Sequence, residues 1–254
     1  DAFATHTLQH GYVDMKAVDR GIHVIPNGIA QLLESAPTRA GDLEPSLNRK
    51  HVYVYGSAPN RGLAYVLHQW STIKAAIPDA ILEIYYGYTE AALKEIRSTM
   101  DEASFEQYYA QIQVFLKQDG VHYYGTVDHA TLTDAYARAG WLLYPTTFQE
   151  TGCITLLRAM AQGVLPITSR LTPSVLGNLT VGYDFGPLEP LKKAVAVQHD
   201  QLLHWLREQW TPAVIAAYYQ TSDEELKRRR HFMKSAIRNK YTWSNTAKKL
   251  QNLF

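Results

Sequence analysis

From residue 50 onward, short apolar segments alternate with segments of helical periodicity, and this alternation constrains the fold more than any other feature of the chain. Each apolar segment has four to seven residues, is rich in branched or aromatic side chains and is bounded by Gly or Pro. Such segments are typical of buried parallel strands, and their alternation with helices predicts an α/β fold with an open, doubly wound parallel sheet. The predicted strands are His51–Tyr55, Ala80–Tyr86, Val121–Tyr124, Trp141–Tyr144 and Val164–Thr168.

Helical periodicity lies between the strands and dominates the end of the chain, which is predicted to be helical from Pro187 onward. The predicted helices are Leu63–Ile77, two helices within residues 91–116 that break near Asp101, Asp128–Ala139, Thr151–Gln162 and Ser222–Tyr241. We expect Asp128 to cap its helix, Gly152 to open the fourth helix and Gly163 to end it. The basic run at residues 227–230 favours a solvated helix face over a nucleic-acid or phosphate contact.

Length and charge limit the class of protein. The chain has 254 residues, of which 46% are hydrophobic. It is therefore long enough for one large domain or two small ones, and it is neither disordered nor a coiled coil. No apolar segment reaches the ~20 residues of a membrane span, and no secretory leader pattern opens the chain. A net charge of +1 argues against nucleic acid as a partner.

Two residue types raise separate questions. Cys153 is the single cysteine, which excludes an internal disulfide framework and a multi-cysteine zinc site and fits a reducing compartment such as the cytoplasm. The chain also has 17 tyrosines. They fit partly buried strand positions, although a binding surface is the alternative.

Three strand-to-helix junctions carry the candidate chemistry, because ligands of doubly wound sheets bind beyond the carboxyl ends of the strands. In the first junction (residues 56–62), glycines open the backbone and Arg61 would attract a phosphate, but a plain turn with a surface arginine fits equally. The second junction (residues 124–128) would present backbone groups to a flat heterocycle, or is simply a turn before a capped helix. In the third (residues 144–154), helix-end amides would take a diphosphate while Glu150 accepts hydrogen bonds from sugar hydroxyls. Alternatively, Glu150 merely favours the positive end of the helix.

In order and spacing, these segments resemble the C-terminal, donor-binding lobe of GT-B glycosyltransferases, in particular the retaining, family 4-like group related to sucrose-phosphate and mannosyl transferases. The resemblance covers roughly residues 20–250, and Tyr144–Pro166 is its most specific part. The other matching segments are Val24–Ile29, Gly56–Leu63, Tyr124–Val127 with Leu132, and Tyr241–Ser244.

The resemblance implies one Rossmann-like domain over residues 21–254 that binds a nucleotide sugar, with residues 1–20 as a remnant of, or linker to, another lobe. It assigns catalytic roles to Arg61, which would neutralise the diphosphate, and to Glu150, which would hold hydroxyls of the donor sugar. The backbone at residues 126–127 would meet the base, and the amides of residues 152–154 would face the diphosphate or sugar. The full set of expected donor contacts is Gly56, Ser57, Gly62, Tyr124, Gly125, Thr126, Val127, Leu132, Thr151, Gly152, Cys153, Ile154 and Arg158. The resemblance implies no metal and no cofactor besides the donor.

Two departures from the family pattern leave questions open. Arg158 stands eight positions after Glu150, where the family has a second glutamate that binds the ribose. Either Arg158 contacts the diphosphate, or it pairs with a nearby carboxylate in a weakened site. Almost nothing precedes the segment at Val24, and the chain begins at Asp1 rather than Met. We therefore expect it to be an excised lobe, a natural minimal form, or one subunit or module of a larger protein.

These observations predict a glycosyltransferase module that transfers a sugar from a nucleotide sugar to a glycan or other hydroxyl acceptor, with retention and without a metal. One alternative is a catalytically inactive nucleotide-sugar-binding or scaffold lobe. Another is a different Rossmann-type enzyme, such as a sugar-nucleotide epimerase, which the absence of a dinucleotide fingerprint disfavours.

Overall fold

A sheet of five parallel strands organises the protein. The computed structural model describes residues 27–29, 49–148, 150, 152–169, 171–172, 191–192 and 199–252, so the predicted segment at residues 1–20 and Thr151 lie outside the described residues. The strands are β1 (Val52–Tyr55), β2 (Ile81–Tyr85), β3 (Val121–Gly125), β4 (Trp141–Tyr144) and β5 (Leu165–Thr168), in the order β3-β2-β1-β4-β5. All five predicted strands are confirmed to within one residue at each end.

Helices connect the five strands, and four more come after the sheet in the sequence of the described residues. The helices are α1 (Leu63–Ala76), α2 (Glu90–Arg97), α3 (Glu102–Phe115), α4 (His129–Arg138), α5 (Ile154–Ala161), α6 (His199–Trp205), α7 (Thr211–Gln220), α8 (Asp223–Lys240) and α9 (Trp243–Gln251), with a π-helical turn at Leu206–Trp210. Crossovers between parallel strands are right-handed. Since the chain moves from β1 towards β3 and then back across the sheet to β4 and β5, α1 to α3 lie on one face and α4 and α5 on the other.

Aspartates fix two of the helix starts that the sequence predicts. The Asp101 carboxylate accepts a hydrogen bond from the Ser104 amide at 2.9 Å, which separates α2 from α3 at the predicted break. The Asp128 carboxylate accepts from the Thr131 amide at 2.7 Å at the start of α4. Each bond satisfies an amide that has no partner inside its helix.

Two helix predictions are wrong in part. The helix predicted from Thr151 begins at Ile154, because the Gly152 carbonyl accepts a hydrogen bond from Asn27 Nδ2 at 2.9 Å and the Cys153 carbonyl accepts the Leu157 amide at 3.1 Å as the first helical bond. Gly152 therefore precedes the helix instead of opening it. Beyond Pro187, residues Leu191–Lys192 form β7, which pairs in parallel with β6 (Leu171–Thr172) instead of being helical.

Much of the tyrosine content belongs to the core. Tyr53 lies within 6.5 Å of the Trp141 ring in a stacked arrangement and meets the Trp70 ring edge-on at 6.0 Å. Exposed rings are concentrated at the carboxyl ends of β2 and β3. The buried tyrosines are Tyr53, Tyr55, Tyr85, Tyr136, Tyr144 and Tyr241, and the exposed ones Tyr86, Tyr123, Tyr124 and Tyr219.

The basic run on α8 is only partly a solvated face. Arg228 pairs with Glu225 at 2.7 Å on the surface, but Arg230 is 8% exposed. Its guanidinium donates to the carbonyls of Ala137 (3.2 Å) and Ala139 at the end of α4. Burial, with a contribution from Arg49, lowers the pKa of Arg230 to about 9. The predicted solvated face is therefore wrong at Arg230, which binds the carbonyls at a helix C-terminus.

Candidate functional site

A crevice opens where the connections of the sheet change direction. The chain leaves β1 towards β2 on one side and leaves β4 towards β5 on the other, and β1 and β4 are neighbours. Loops that follow two such strands diverge to opposite faces, and doubly wound sheets bind their ligands between them. The first junction follows β1 and the third follows β4, so these two junctions line the crevice.

Close backbone packing holds the two junctions together. Gly62 has φ +107°, and a Cβ there would lie 2.7 Å from the Pro145 carbonyl oxygen, so the position requires glycine. Ser57 Oγ lies 3.5 Å from the Tyr144 hydroxyl. Thr155 Oγ1, in the first turn of α5, donates to the Gly56 carbonyl at 3.5 Å. Gly56, Ser57 and Gly62, which were predicted to contact the donor, thus lie in the first junction where it meets the third.

Arg61 and Glu150 meet across this crevice. Arg61 Nε is 3.6 Å from Glu150 Oε1, and the two side chains are 25% and 13% exposed. The Tyr144 hydroxyl donates to the same Glu150 oxygen at 2.7 Å. The Phe148 ring lies under the guanidinium, with Arg61 Cζ 3.5 Å from the ring centroid. A cation and a carboxylate are therefore placed together at the switch point.

The turn that carries Arg61 is supported from the core. Residues Pro59–Arg61 form a 3₁₀ turn, in which the Arg61 amide donates to the Ala58 carbonyl at 2.9 Å. The hydroxyl of Tyr55, the buried last residue of β1, donates to the same carbonyl at 2.8 Å. These two hydrogen bonds hold the backbone of the turn that carries Arg61.

The loop that carries Glu150 is held at both ends. Near β4, Thr146 is fully buried, its carbonyl accepts from Ser169 Oγ, and its Oγ1 accepts from the Phe148 amide at 3.1 Å. Near α5, the Gly152 carbonyl is bound by Asn27. The Glu150 carboxylate stands beside the positive end of α5, where a negative charge is favoured.

Cys153, the N-cap residue of α5, is not a reactive thiol. Its side chain is 5% exposed. Burial, followed by the nearby Glu150 carboxylate, raises the pKa of the Cys153 thiol to about 12. The thiol therefore stays protonated at neutral pH and contributes only its backbone and its volume to the site.

The second junction forms an open rim. Tyr124 is 51% exposed and stacks on Tyr85, with ring centroids 4.8 Å apart and planes 8° apart. Gly125 has φ +67° with open space around it, and Thr126 is exposed. Val127 and Leu132 are half-buried against the core.

Helix α4 links this rim to the crevice. Leu132 Cδ1 lies 3.2 Å from where a Cβ on Gly56 would be, and the Tyr136 hydroxyl donates to the Gly56 carbonyl at 3.4 Å. The structure therefore brings Leu132 to the first junction and leaves residues 124–126 on the rim.

Arg158 lies one helical turn beyond Ile154 on α5. Its Nη1 is 2.8 Å from Nδ1 of His129, the first residue of α4. The partner of Arg158 in the described part of the chain is thus an imidazole, not the carboxylate that one sequence hypothesis required. The imidazole nitrogen accepts this bond, because a guanidinium has only donors.

Two residues of the site received no role from the sequence. Tyr144 and Phe148 both lie in the most specific stretch, but the end of a buried strand and a loop aromatic carry no chemical signal of their own. Their contacts with Glu150 and Arg61 depend on the path of the loop between β4 and α5. Among the described residues, no group of three or more His, Cys, Asp or Glu side chains is placed to hold a metal ion.

Fold and site together define a class of protein: a doubly wound α/β domain whose switch point presents an arginine, a carboxylate and a helix N-terminus to a ligand. The chain belongs to the family described as glycosyl transferases group 1, whose model matches residues 39–183, more than half of the chain. No curated protein sequence matches it.

Solved structures share the fold, and the five-stranded parallel sheet with its flanking helices is that of GT-B glycosyltransferases. A Rickettsia africae glycosyltransferase superposes with a TM-score of 0.59 at 12% identity, over 99% of this chain and 60% of its own. The sucrose-phosphate synthase of Thermosynechococcus elongatus gives 0.54 at 18%, over 94% and 54%. Anabaena HepE, solved in complex with UDP and glucose, gives 0.54 at 13%, over 91% and 56%.

The chain spans between 54% and 60% of the lengths of these three structures. Among the described residues, no helix combines the length and the apolar character needed to cross a membrane.

Proposed function

We propose that the chain is the donor-binding module of a glycosyltransferase, which binds a nucleotide sugar and transfers the sugar to a hydroxyl group of a glycan or other acceptor. The observation that carries this proposal is the meeting of Arg61 and Glu150, 3.6 Å apart, at the switch point between β1 and β4. The family match and a structural neighbour that holds UDP and glucose support it.

In this proposal the diphosphate lies between the first and third junctions. Arg61 donates to its oxygens, together with the Ser57 hydroxyl and the amides of residues 152–154 at the N-terminal end of α5. Thr151, which lies outside the described residues, is proposed to join them. When the bond from the anomeric carbon to the diphosphate breaks, the electron pair leaves with the diphosphate. Donors already aimed at that charge stabilise the transition state.

Glu150 is assigned to the sugar. Its carboxylate accepts hydrogen bonds from sugar hydroxyls while Tyr144 fixes its orientation. The rim at residues 124–127, with Leu132 beneath it, takes the base. We propose no covalent role for Glu150 and none for Cys153, whose thiol is buried. The transfer is proposed to retain the anomeric configuration and to need no metal, with Arg61 and helix-end amides as the positive groups.

The acceptor is proposed to bind largely outside this chain. The chain covers at most 60% of the matching structures described above, and a second lobe or module would supply the acceptor site and the general base. Residues 1–20 are proposed to lead to that lobe.

A catalytically inactive donor-binding or scaffold lobe is the second candidate. The observation that favours it is Arg158, which replaces the expected ribose-binding glutamate and contacts His129. In the active form of the proposal Arg158 contacts the diphosphate, so that Arg158→Glu weakens nucleotide binding. Tighter binding by that variant would remove the phosphate contact.

The test combines binding and turnover. A thermal-shift screen of UDP, ADP, GDP and their glucose conjugates identifies a donor, since a ligand that binds the folded state raises its melting temperature with concentration. Mass spectrometry then follows release of the nucleoside diphosphate with a panel of glycan acceptors. Release and transfer support the enzyme. Donor binding without turnover supports the inactive lobe only when the second lobe that is proposed to supply the acceptor site is present in the assay.

A further inference from the structure

Phe148 is placed on Arg61 by the backbone of the third junction. The ring is 44% exposed, and its centroid lies 3.5 Å from Arg61 Cζ. The Phe148 amide donates to Thr146 Oγ1 at 3.1 Å, and the Thr146 carbonyl accepts from Ser169 Oγ. A chain of hydrogen bonds therefore runs from the end of β5 through Thr146 to the residue under the guanidinium.

A ring under the face of a guanidinium constrains its plane but uses none of its N–H groups, which all point outwards along the edges. Among the described residues, Arg61 meets Glu150 through Nε, which leaves the N–H groups of the Nη edge for a ligand. These are the pair that binds two phosphate oxygens side by side.

We infer that Phe148 is a positioning residue for the donor: its ring holds the Arg61 guanidinium in the plane in which the Nη edge meets the diphosphate. The inference rests on the proposed function and deepens it. Without the ring, the flexible arginine side chain samples other rotamers. In one of these rotamers, Arg61 forms a bidentate ion pair with Glu150. The carboxylate then competes with the phosphate oxygens for the same N–H groups.

The binding test compares two changes at one position. Phe148→Leu keeps apolar bulk without a π face, whereas Phe148→Tyr keeps the face. By calorimetry with UDP, Phe148→Leu should weaken binding about 2- to 30-fold, and Phe148→Tyr should restore binding to within about twofold of the parent. Uridine, which lacks phosphates, should bind all three proteins equally. Phe232→Leu, the same change at a phenylalanine that is 55% exposed on α8, should leave UDP binding unchanged.

Coupling to Arg61 separates positioning from a general structural effect. In an Arg61→Gln background, Phe148→Leu should cause no further loss, because the group that it positions is gone. The inference is overturned if the loss persists in that background, or if Phe148→Tyr is as weak as Phe148→Leu.

A ligand-free measurement distinguishes failure of this inference from failure of the proposed function. The Nε–Hε resonance of Arg61, assigned by its absence in Arg61→Gln, should show an ordered side chain in the parent and in Phe148→Tyr, and a mobile one in Phe148→Leu. If the parent binds no nucleoside diphosphate but this pattern holds, the proposed function fails and the positioning role stands. An equally ordered Arg61 in Phe148→Leu overturns the positioning role, whatever binds.

Discussion

At the residue scale, a single oxygen of Glu150 serves two partners. Glu150 Oε1 accepts from Tyr144 and also faces Arg61 at 3.6 Å. In the proposed function, this pairing partly neutralises the cation that would bind the diphosphate. The carboxylate would then help binding of the sugar and oppose binding of the bare diphosphate.

Replacement of Glu150 by Gln should separate these two effects. Glutamine retains an oxygen for Tyr144 but removes the charge that competes for Arg61. UDP alone should bind Glu150→Gln about 2- to 5-fold more tightly, while the nucleotide sugar should lose affinity relative to UDP because an acceptor for its hydroxyls is weakened. Calorimetry with both ligands measures this, with Glu224→Gln, on the exposed first turn of α8, as a surface control. Weaker binding of UDP itself by Glu150→Gln would contradict the shared-oxygen account.

Cys153 gives a pH-dependent prediction. Its pKa is raised from 9.0 to about 12 by burial and by Glu150, so between these pH values the unfolded chain loses a proton that the folded chain keeps. The unfolded state is then favoured increasingly as pH rises through this window. Urea unfolding at pH 8 and pH 10.5 should show a smaller loss of stability in Cys153→Ser than in the parent. An identical loss, or rapid alkylation of the native thiol at pH 7.5, would contradict the assigned burial.

At the element scale, two glycines with positive φ allow a matched comparison. Gly125→Ala meets no neighbouring atom and should cost only the left-handed backbone term, about 1–2 kcal/mol. Gly62→Ala adds a contact 2.7 Å from the Pro145 carbonyl, for a further ~1–3 kcal/mol. It should also weaken UDP binding, because Arg61 is adjacent. Denaturant unfolding and calorimetry test both effects, and equal stability of the two variants would argue against the packing of the junctions.

Helix α8 gives a second comparison at this scale. Arg230→Met leaves the carbonyls of Ala137 and Ala139 at the end of α4 without their donor, and should destabilise the fold by about 1–3 kcal/mol. Lys227→Met on the exposed face of the same helix should change stability by less than about 0.5 kcal/mol. Urea unfolding measures both. If the two variants are equally stable, Arg230 does not bind the end of α4.

Elements of the fold that are determined by neighbouring residues could be predicted from the sequence. The strands follow from short apolar segments, and two helix starts follow from the capping residues Asp101 and Asp128. Both features depend on neighbouring residues and were predictable. The start of α5 was not, because its shift depends on a bond from Asn27, 125 positions away. Nor were β7, which needs β6 as a partner, and the burial of Arg230.

The site divides in the same way. Arg61 and Glu150 were predicted as site residues because their segments resemble, in order and spacing, those of GT-B glycosyltransferases. Their separation, the support of Glu150 by Tyr144 and the stack on Phe148 follow from the path of two loops that meet in space, and no spacing in the sequence encodes that path.

At the scale of the whole molecule, the strand order places the candidate site, because β1 and β4 are neighbours whose connections diverge. The described residues form a five-stranded sheet around that point, while the chain spans 60% or less of the matching structures described above. Donor binding is therefore the activity that this chain should show alone, whereas transfer should depend on what supplies the acceptor.

Calorimetric titration of UDP, ADP and GDP into the parent chain, Arg61→Gln and Arg97→Gln tests whether the chain binds a nucleoside diphosphate through Arg61. Arg97 is a matched control because it also stacks on a phenylalanine, Phe105, at 4.3 Å, and pairs with a glutamate, Glu106, at 3.0 Å, but on the surface of α2. The account predicts that at least one diphosphate binds the parent, that Arg61→Gln loses about 10- to 100-fold in affinity, and that Arg97→Gln loses none. Binding that is equal in the parent and Arg61→Gln, or absent for all three diphosphates, would contradict it.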